Sequence, residues 1–304
     1  MRAPPAKPNR YAAHARFIEP ARETPGLRPV LLGFALVELL FQAGQKALGL
    51  LLRAISPALE HGMATGNTPV GLLLNLGSFA LLGLAIALIL RVLHDRSWLS
   101  LLGLNPGFGA TFRTTCLYVA VVFFAVEILL IGVDYGPEVT LRPLPTWLTL
   151  LLPALVVLLV QTGAEELFYR GYLQQRVAVL LPHPAMWLIL PNLPFALAHW
   201  NGYAPPVENL AYMLWAFCFG LAASDLTARA GSLAPALGLH LMNNAYAFLF
   251  FGQKGGNDSG LALVVLDPPL RPVPASDTLW GTGLPAELLL LLATWLAARL
   301  AIAR

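Results

Sequence analysis

Three short sets of polar residues stand in stretches that are otherwise almost wholly apolar. Glu165, Glu166 and Arg170 lie in AEELFYRGYL, Phe195 and His199 in PFALAHW, and His240 and Asn244 in GLHLMNN. A glutamate and a histidine can together hold and deprotonate a water molecule. A second imidazole and a carboxamide offer N–H groups to an oxyanion, the species that forms when water adds to an amide carbonyl. The expected chemistry is therefore hydrolysis of an amide by an activated water. No serine nucleophile elbow, cysteine–histidine pair or glycine-rich phosphate loop competes with it.

The spacing assigns these residues to helices. At helical pitch Glu166 and Arg170 lie about 40° apart, acid first, the favourable order for an ion pair, whereas Glu165 points about 140° away from Arg170. Glu165 is thus the carboxylate left free to act as a base, with Glu166 neutralised and held. Phe195 and His199 fall one turn apart on one helix face, as do His240 and Asn244. Ionisable groups at bilayer depth cost about 2.5 kcal/mol or more, so three helices carrying such groups are expected to satisfy them against one another.

The helices that must carry them are membrane spans. Of the 304 residues 57% are apolar and only 12% charged, about half the charge of a soluble domain. This composition argues against a water-soluble enzyme and excludes intrinsic disorder, while two cysteines cannot build a disulfide scaffold. Cys116 and Cys218 are expected to be buried thiols. Apolar runs predict eight transmembrane helices at 29–52, 69–93, 114–133, 146–169, 184–200, 208–228, 232–252 and 284–302, an all-α polytopic bundle around a polar cavity. With the N-terminus inside, fourteen basic residues fall on inner segments and four on outer ones, which sets both termini in the cytoplasm and disposes of the net charge of +3 as a nucleic-acid signal. Two domains follow: residues 1–28, polar and proline-rich, as a disordered cytoplasmic tail, and 29–304 as the membrane domain with its core motifs at 146–250. Residues 97–104 are expected to lie as an interfacial helix, and 253–282 to form an outer loop dipping back at Leu261 to Leu266. Glu38, Glu127 and Asp225 read as interhelical hydrogen-bond groups. His14, His61, His94 and His183 read as exposed, and Trp147, Trp200, Trp215 and Trp295 as interfacial or packing residues.

The motifs EExxxR, FxxxH and HxxxN, in that order in a polytopic chain, resemble those of the CPBP intramembrane proteases. That is the CAAX protease and bacteriocin-processing (Abi) family, which includes the type II CAAX prenyl endopeptidases. The likeness runs from about residue 146 to 250. It implies an eight-span bundle around a conical cavity open to the cytoplasm and the lipid. By that resemblance Glu165 and His199 activate the water, His240 and Asn244 form the oxyanion hole, Glu166 and Arg170 support the site, and Phe195 shapes the pocket. The expected function is an intramembrane or membrane-proximal endopeptidase of the bacterial plasma membrane, acting on a peptide or lipid-anchored protein. The alternative is a non-catalytic scaffold or bacteriocin-immunity-type binder of the same fold; a transporter is disfavoured, because the polar set does not repeat in paired halves. No cofactor is favoured. Zinc stays open, with Glu165, His199 and His240 as its ligands, although no HExxH pair is present and Asn244 makes better sense as an oxyanion donor.

Overall fold

The computed structural model describes residues 10–129, 139–202, 204–267 and 277–303. Its elements are α1 (His14–Phe17), α2 (Leu27–Ile55), α3 (Pro57–Thr65), α4 (Pro69–Gly77), α5 (Ala80–His94), α6 (Phe108–Leu129), α7 (Leu144–Glu166), α8 (Gln175–Leu180), α9 (Pro184–Ile189), α10 (Asn192–Leu197), α11 (Pro206–Ala230), α12 (Ala234–Leu249) and α13 (Leu284–Ile302). A π-helical stretch, Leu167–Gln174, joins α7 to α8. Three short strands, β1 (Val139–Leu141), β2 (Phe251–Gln253) and β3 (Val264–Leu266), make a small sheet in the order β1-β3-β2.

Among the described residues six helices are long and apolar enough to cross a bilayer: Leu27–Ile55, Pro69–His94, Phe108–Leu129, Leu144–Leu180, Pro206–Ala230 and Leu284–Ile302. Their outward faces are leucine, valine and phenylalanine, as at Leu39, Leu84, Phe124, Leu152 and Leu289, all exposed in the isolated chain. Such a surface is stable only against lipid, and the protein is an integral membrane protein. The expected fifth and seventh spans do not reach that length. Pro191 breaks the fifth into α9 and α10, six residues each, because a proline disfavours helix at the residue before it. The seventh, α12, has 16 residues. These two short elements bring the histidines to the site.

The helices form two ends. One holds the C-terminal ends of α5, α11 and α13 and the N-terminal ends of α6 and α12. The expectation of a disordered tail over 1–28 is corrected here. Residues 1–9 are outside the described residues, but Tyr11–Glu23 folds onto this end with His14, Phe17 and Ala21 buried. Arg176 pins it by donating from Nη1 to the carbonyls of Ala21 (3.1 Å) and Thr24 (2.6 Å). The His14 ring packs tilted against Trp187 with centroids 4.2 Å apart, and Gln174 Nε2 donates to it at 3.3 Å. His94, beside Arg176 and Tyr172, is likewise buried rather than exposed. His61 and His183 are exposed. Gly103 and Gly231, both left-handed (φ 61° and 63°), let three chain segments meet here: a Cβ on Gly231 would lie 2.6 Å from the Ala13 carbonyl, and one on Gly103 2.5 Å from that of Gly231. The expected surface helix at 97–104 is a single 3-10 turn, Trp98–Leu101, with Trp98 and Leu99 exposed and Leu101 fully buried against Gly171.

The opposite end carries the sheet, the turn after α3 and the N-terminal ends of α11 and α13. Leu261 and Ala262 are buried there, and Arg142 donates to the carbonyls of Gly260 and Ala262, both at 2.9 Å. Asp225 on α11 ties three elements together, accepting from Tyr11 Oη (2.8 Å), Arg229 Nε (2.8 Å) and Trp295 Nε1 (3.1 Å). Glu127 accepts a hydrogen bond from Tyr246. Cys116 and Cys218 are half-buried free thiols.

Candidate active site

α7 supplies both glutamates where its geometry widens into the π-helical stretch, a feature that recurs at functional sites because it re-aims side chains. Glu166 turns inward and is fully buried, as is Arg170 one turn on. Glu166 Oε1 accepts from Arg170 Nη1 at 2.9 Å and from His240 Nδ1 at 2.8 Å. The Arg170 guanidinium lies over the Phe195 ring at 4.2 Å, where the π face stabilises the cation. Phe195 therefore has two contacts in the cluster, the second through its carbonyl, which accepts from His199 Nδ1 at 2.7 Å.

That second contact fixes the chemistry of His199. A carbonyl only accepts, so the proton sits on Nδ1 and Nε2 keeps a lone pair. His199 lies in the turn just after α10 rather than on its face, and its ring meets Phe195 edge-on at 4.6 Å. On α12, His240 spends Nδ1 on Glu166 and turns Nε2 toward Glu165 Oε2, 3.6 Å away. Glu165 Oε2 is buried and has no hydrogen-bond partner. Both Nε2 and this oxygen thus face a space that a polar group can fill.

The space is a cavity of about 770 Å³ lined by Glu165, His199, His240 and Asn244 together with Phe195 and Phe219. Glu166 and Arg170 do not line it; they stand behind the wall. Among the described residues no group of three His, Cys, Asp or Glu side chains is placed to hold a metal ion, so the Glu165, His199 and His240 set considered for zinc does not assemble as one.

Sequence reasoning missed Gln161 and Asn243. Asn244 Nδ2 donates to Gln161 Oε1 at 2.8 Å, and Asn243 Nδ2 donates to Asn244 Oδ1 at 3.2 Å, so the Asn244 carboxamide is held from both sides with one N–H to spare. The signal for Gln161 was present: it precedes Glu165 by one helical turn. Asn192, also missed, is fully buried and donates to Leu188 O (2.7 Å) and Ser224 Oγ (2.9 Å), locking α10 and thus His199 against α11.

A helical membrane bundle with carboxylate, imidazole and carboxamide groups at the base of an internal cavity defines the class of this protein. Residues 146–246 match the family described as Type II CAAX prenyl endopeptidase Rce1-like, a family of membrane proteases. A protein of Bacillus subtilis (strain 168), named "Uncharacterized protein YyaK", is 30% identical over 135 residues, covering 43% of this chain. The chain spans 42% of the length of that relative. No solved structure matches.

Proposed function

We propose that the protein is a membrane-embedded endopeptidase that cleaves a peptide bond of a membrane-associated substrate. The observation that carries this reading is the convergence of Glu165, His199, His240 and Asn244 on one cavity, with a buried ion pair behind them.

A water held between the Glu165 carboxylate and the free Nε2 of His199 gives up a proton to one of them as its oxygen attacks the carbonyl carbon. The oxyanion that develops accepts from the spare N–H of Asn244 and from His240, whose Nε2 is an N–H donor when it carries a proton. Glu166 and Arg170 hold the His240 ring from the far side, so the donors are in place before the charge appears. Collapse of the tetrahedral intermediate breaks the C–N bond, and the proton taken from water passes to the leaving amine. Two products result, a carboxylic acid and an amine. Phe195 orients His199 and packs Arg170. The apolar walls, Phe219 and Trp215 among them, suit a substrate held partly by its lipid-facing side, and the family description suggests a prenyl-type anchor as one form of it.

The test is cleavage of a quenched-fluorescent peptide library by the protein in proteoliposomes. Glu165→Ala and His199→Ala are each expected to abolish turnover while leaving the protein folded. Survival of cleavage in either variant overturns the water-activation assignment, and peptide retention without any turnover in the unmodified chain would favour the binding scaffold instead.

A further inference from the structure

Two arginines at the end covered by the N-terminal segment have no carboxylate to answer them. Arg96, just past the end of α5, is 5% exposed, and Arg176 on α8 is 2% exposed. Arg96 makes one hydrogen bond, from Nη2 to Gln175 Oε1 at 2.9 Å, while its Nε and Nη1 are buried without a partner. Arg176 Nη1 faces three neutral acceptors, the Ala21 and Thr24 carbonyls and Thr24 Oγ1 at 2.9 Å, and its Nη2 meets the His94 ring. Its Nε is buried and unpartnered. With one N–H on Nε and two on Nη1, Arg96 leaves three N–H groups idle and Arg176 one.

The acids nearby are engaged elsewhere. Asp95, in a left-handed turn (φ 47°), pairs with Arg91 at the surface, and Glu19 pairs with Arg22. Glu23 is exposed, and among the described residues no carboxylate is ion-paired with Arg96 or Arg176. Burial, and after it the neighbouring Arg176, lower Arg96 from 12.5 to about 10, with Glu23 and Tyr172 acting the other way, so at neutral pH it remains a cation. Adjacent buried cations are unfavourable unless an anion answers them. The spans Pro69–His94 and Leu144–Leu180 both end here, and Trp98, exposed beside them, marks the level of the lipid headgroups. Guanidinium forks at that level match the oxygens of a phosphate.

We propose that Arg96 and Arg176 bind a phosphate group, and that the segment Tyr11–Thr24 competes with it for Arg176. In the structure the segment holds that place with two backbone carbonyls and a hydroxyl. A phosphate brings full charge where these groups bring only dipoles, so it takes over Nη1 of Arg176 and also uses the four idle N–H groups. The ligand class is a phosphate ester, carried by a lipid headgroup or by a soluble molecule. The site is separate from the hydrolase reading, because neither arginine lines the cavity.

The test uses the full chain in a phosphorus-free detergent, titrated calorimetrically with inorganic phosphate at fixed ionic strength. One site per chain is expected. Arg96→Gln should weaken it about ten- to a hundredfold and Arg96→Lys, which keeps the charge but not the fork, about three- to tenfold. Arg91→Gln, which removes an exposed arginine at the same end, should change it less than about twofold. Arg96 gives up a single neutral hydrogen bond, so its variants should keep the parent's Tm in phosphate-free buffer to within a few degrees. No binding by the parent, or equal losses in Arg91→Gln and Arg96→Gln, overturns the proposal. Protection factors of the amides across residues 11–24 should fall when phosphate is added at constant pH; unchanged protection overturns the competition with the segment. Repeating the titration in nanodiscs of phosphatidylglycerol and of a phosphorus-free glycolipid separates the two sources. Phosphate binding weakened only in phosphatidylglycerol assigns the site to a lipid headgroup, and equal binding in both assigns it to a soluble phosphate ester.

Discussion

Replacing Arg170 by methionine removes the cation that sits between Glu166 and the Phe195 ring while keeping a long apolar side chain in its place. Both charges are fully buried, so Glu166 would be left with the His240 N–H as its one remaining partner. Breaking a buried pair from one side costs about 3–5 kcal/mol, and the lost cation–π contact is part of that sum. A loss of this size lowers the denaturation midpoint on the order of 10 °C. Glu166→Gln alone should cost a similar amount by stranding Arg170. Removing both charges in Glu166→Gln/Arg170→Met is expected to recover most of the loss, because no uncompensated charge is then buried, giving a coupling energy of about 2–3 kcal/mol in the double-mutant cycle. Activity should not recover, since His240 Nδ1 no longer has an ionised acceptor to hold the ring. The assay is thermal denaturation in detergent beside steady-state hydrolysis of a peptide. Additive losses in the double variant would refute the account of this pair as a buried, mutually compensating unit, and full activity in it would refute its role in holding His240.

Asn244→Ala should lower kcat roughly 10²- to 10³-fold, the usual cost of one oxyanion donor, with KM little changed. Gln161→Leu should lower kcat by about tenfold, because it frees the carboxamide of Asn244 to rotate without deleting it; an unchanged kcat would show that Gln161 does not position that group. Burial lowers the His14 imidazole from 6.5 to about 4. Between those values the undocked N-terminal segment binds a proton that the docked one refuses, so docking is fully stable above pH 6.5 and weakens, by on the order of 3 kcal/mol, as pH falls toward 4. Protection factors across residues 11–23, taken relative to the intrinsic exchange rate at each pH, should fall over that window, and His14→Gln should reduce the dependence. Gly220→Ala would set a Cβ 2.4 Å from Asn192 Oδ1. It should cost about 1–3 kcal/mol and, by displacing α10 and His199, lower kcat; measured thermal stability and kcat equal to those of the parent would contradict that packing.

Much of the site is written locally. The i, i+4 spacing of Glu166 and Arg170 is enough to expect their pairing and to leave Glu165 free, and the same rule links His240 with Asn244. Gln161 obeys it too, one turn before Glu165, but an uncharged amide in a span costs less to bury than a charge and so marks a site less sharply. The buried state of His14 and His94 had no such local signal. It arises from Tyr11–Glu23 folding back onto α8 and α11, contacts separated by more than 70 positions in the chain. Nor could hydropathy see that the fifth span breaks at Pro191 or that α12 stops after 16 residues, since an apolar run scores alike whether it crosses the bilayer or ends within the protein.

Residue order by itself determined that this chain lies in a membrane, on which helices its carboxylates and imidazoles stand, and which end of the bundle collects positive charge. These are properties of neighbours a few positions apart, and helical periodicity or simple counting carries them. Only the tertiary structure decided that Glu166 on α7 meets His240 on α12, that Asn244 is held by Gln161, and that the cavity runs toward the sheet while the N-terminal segment closes the other end. Each of these depends on how helices distant in sequence fill space against one another, a constraint of packing that no local pattern encodes.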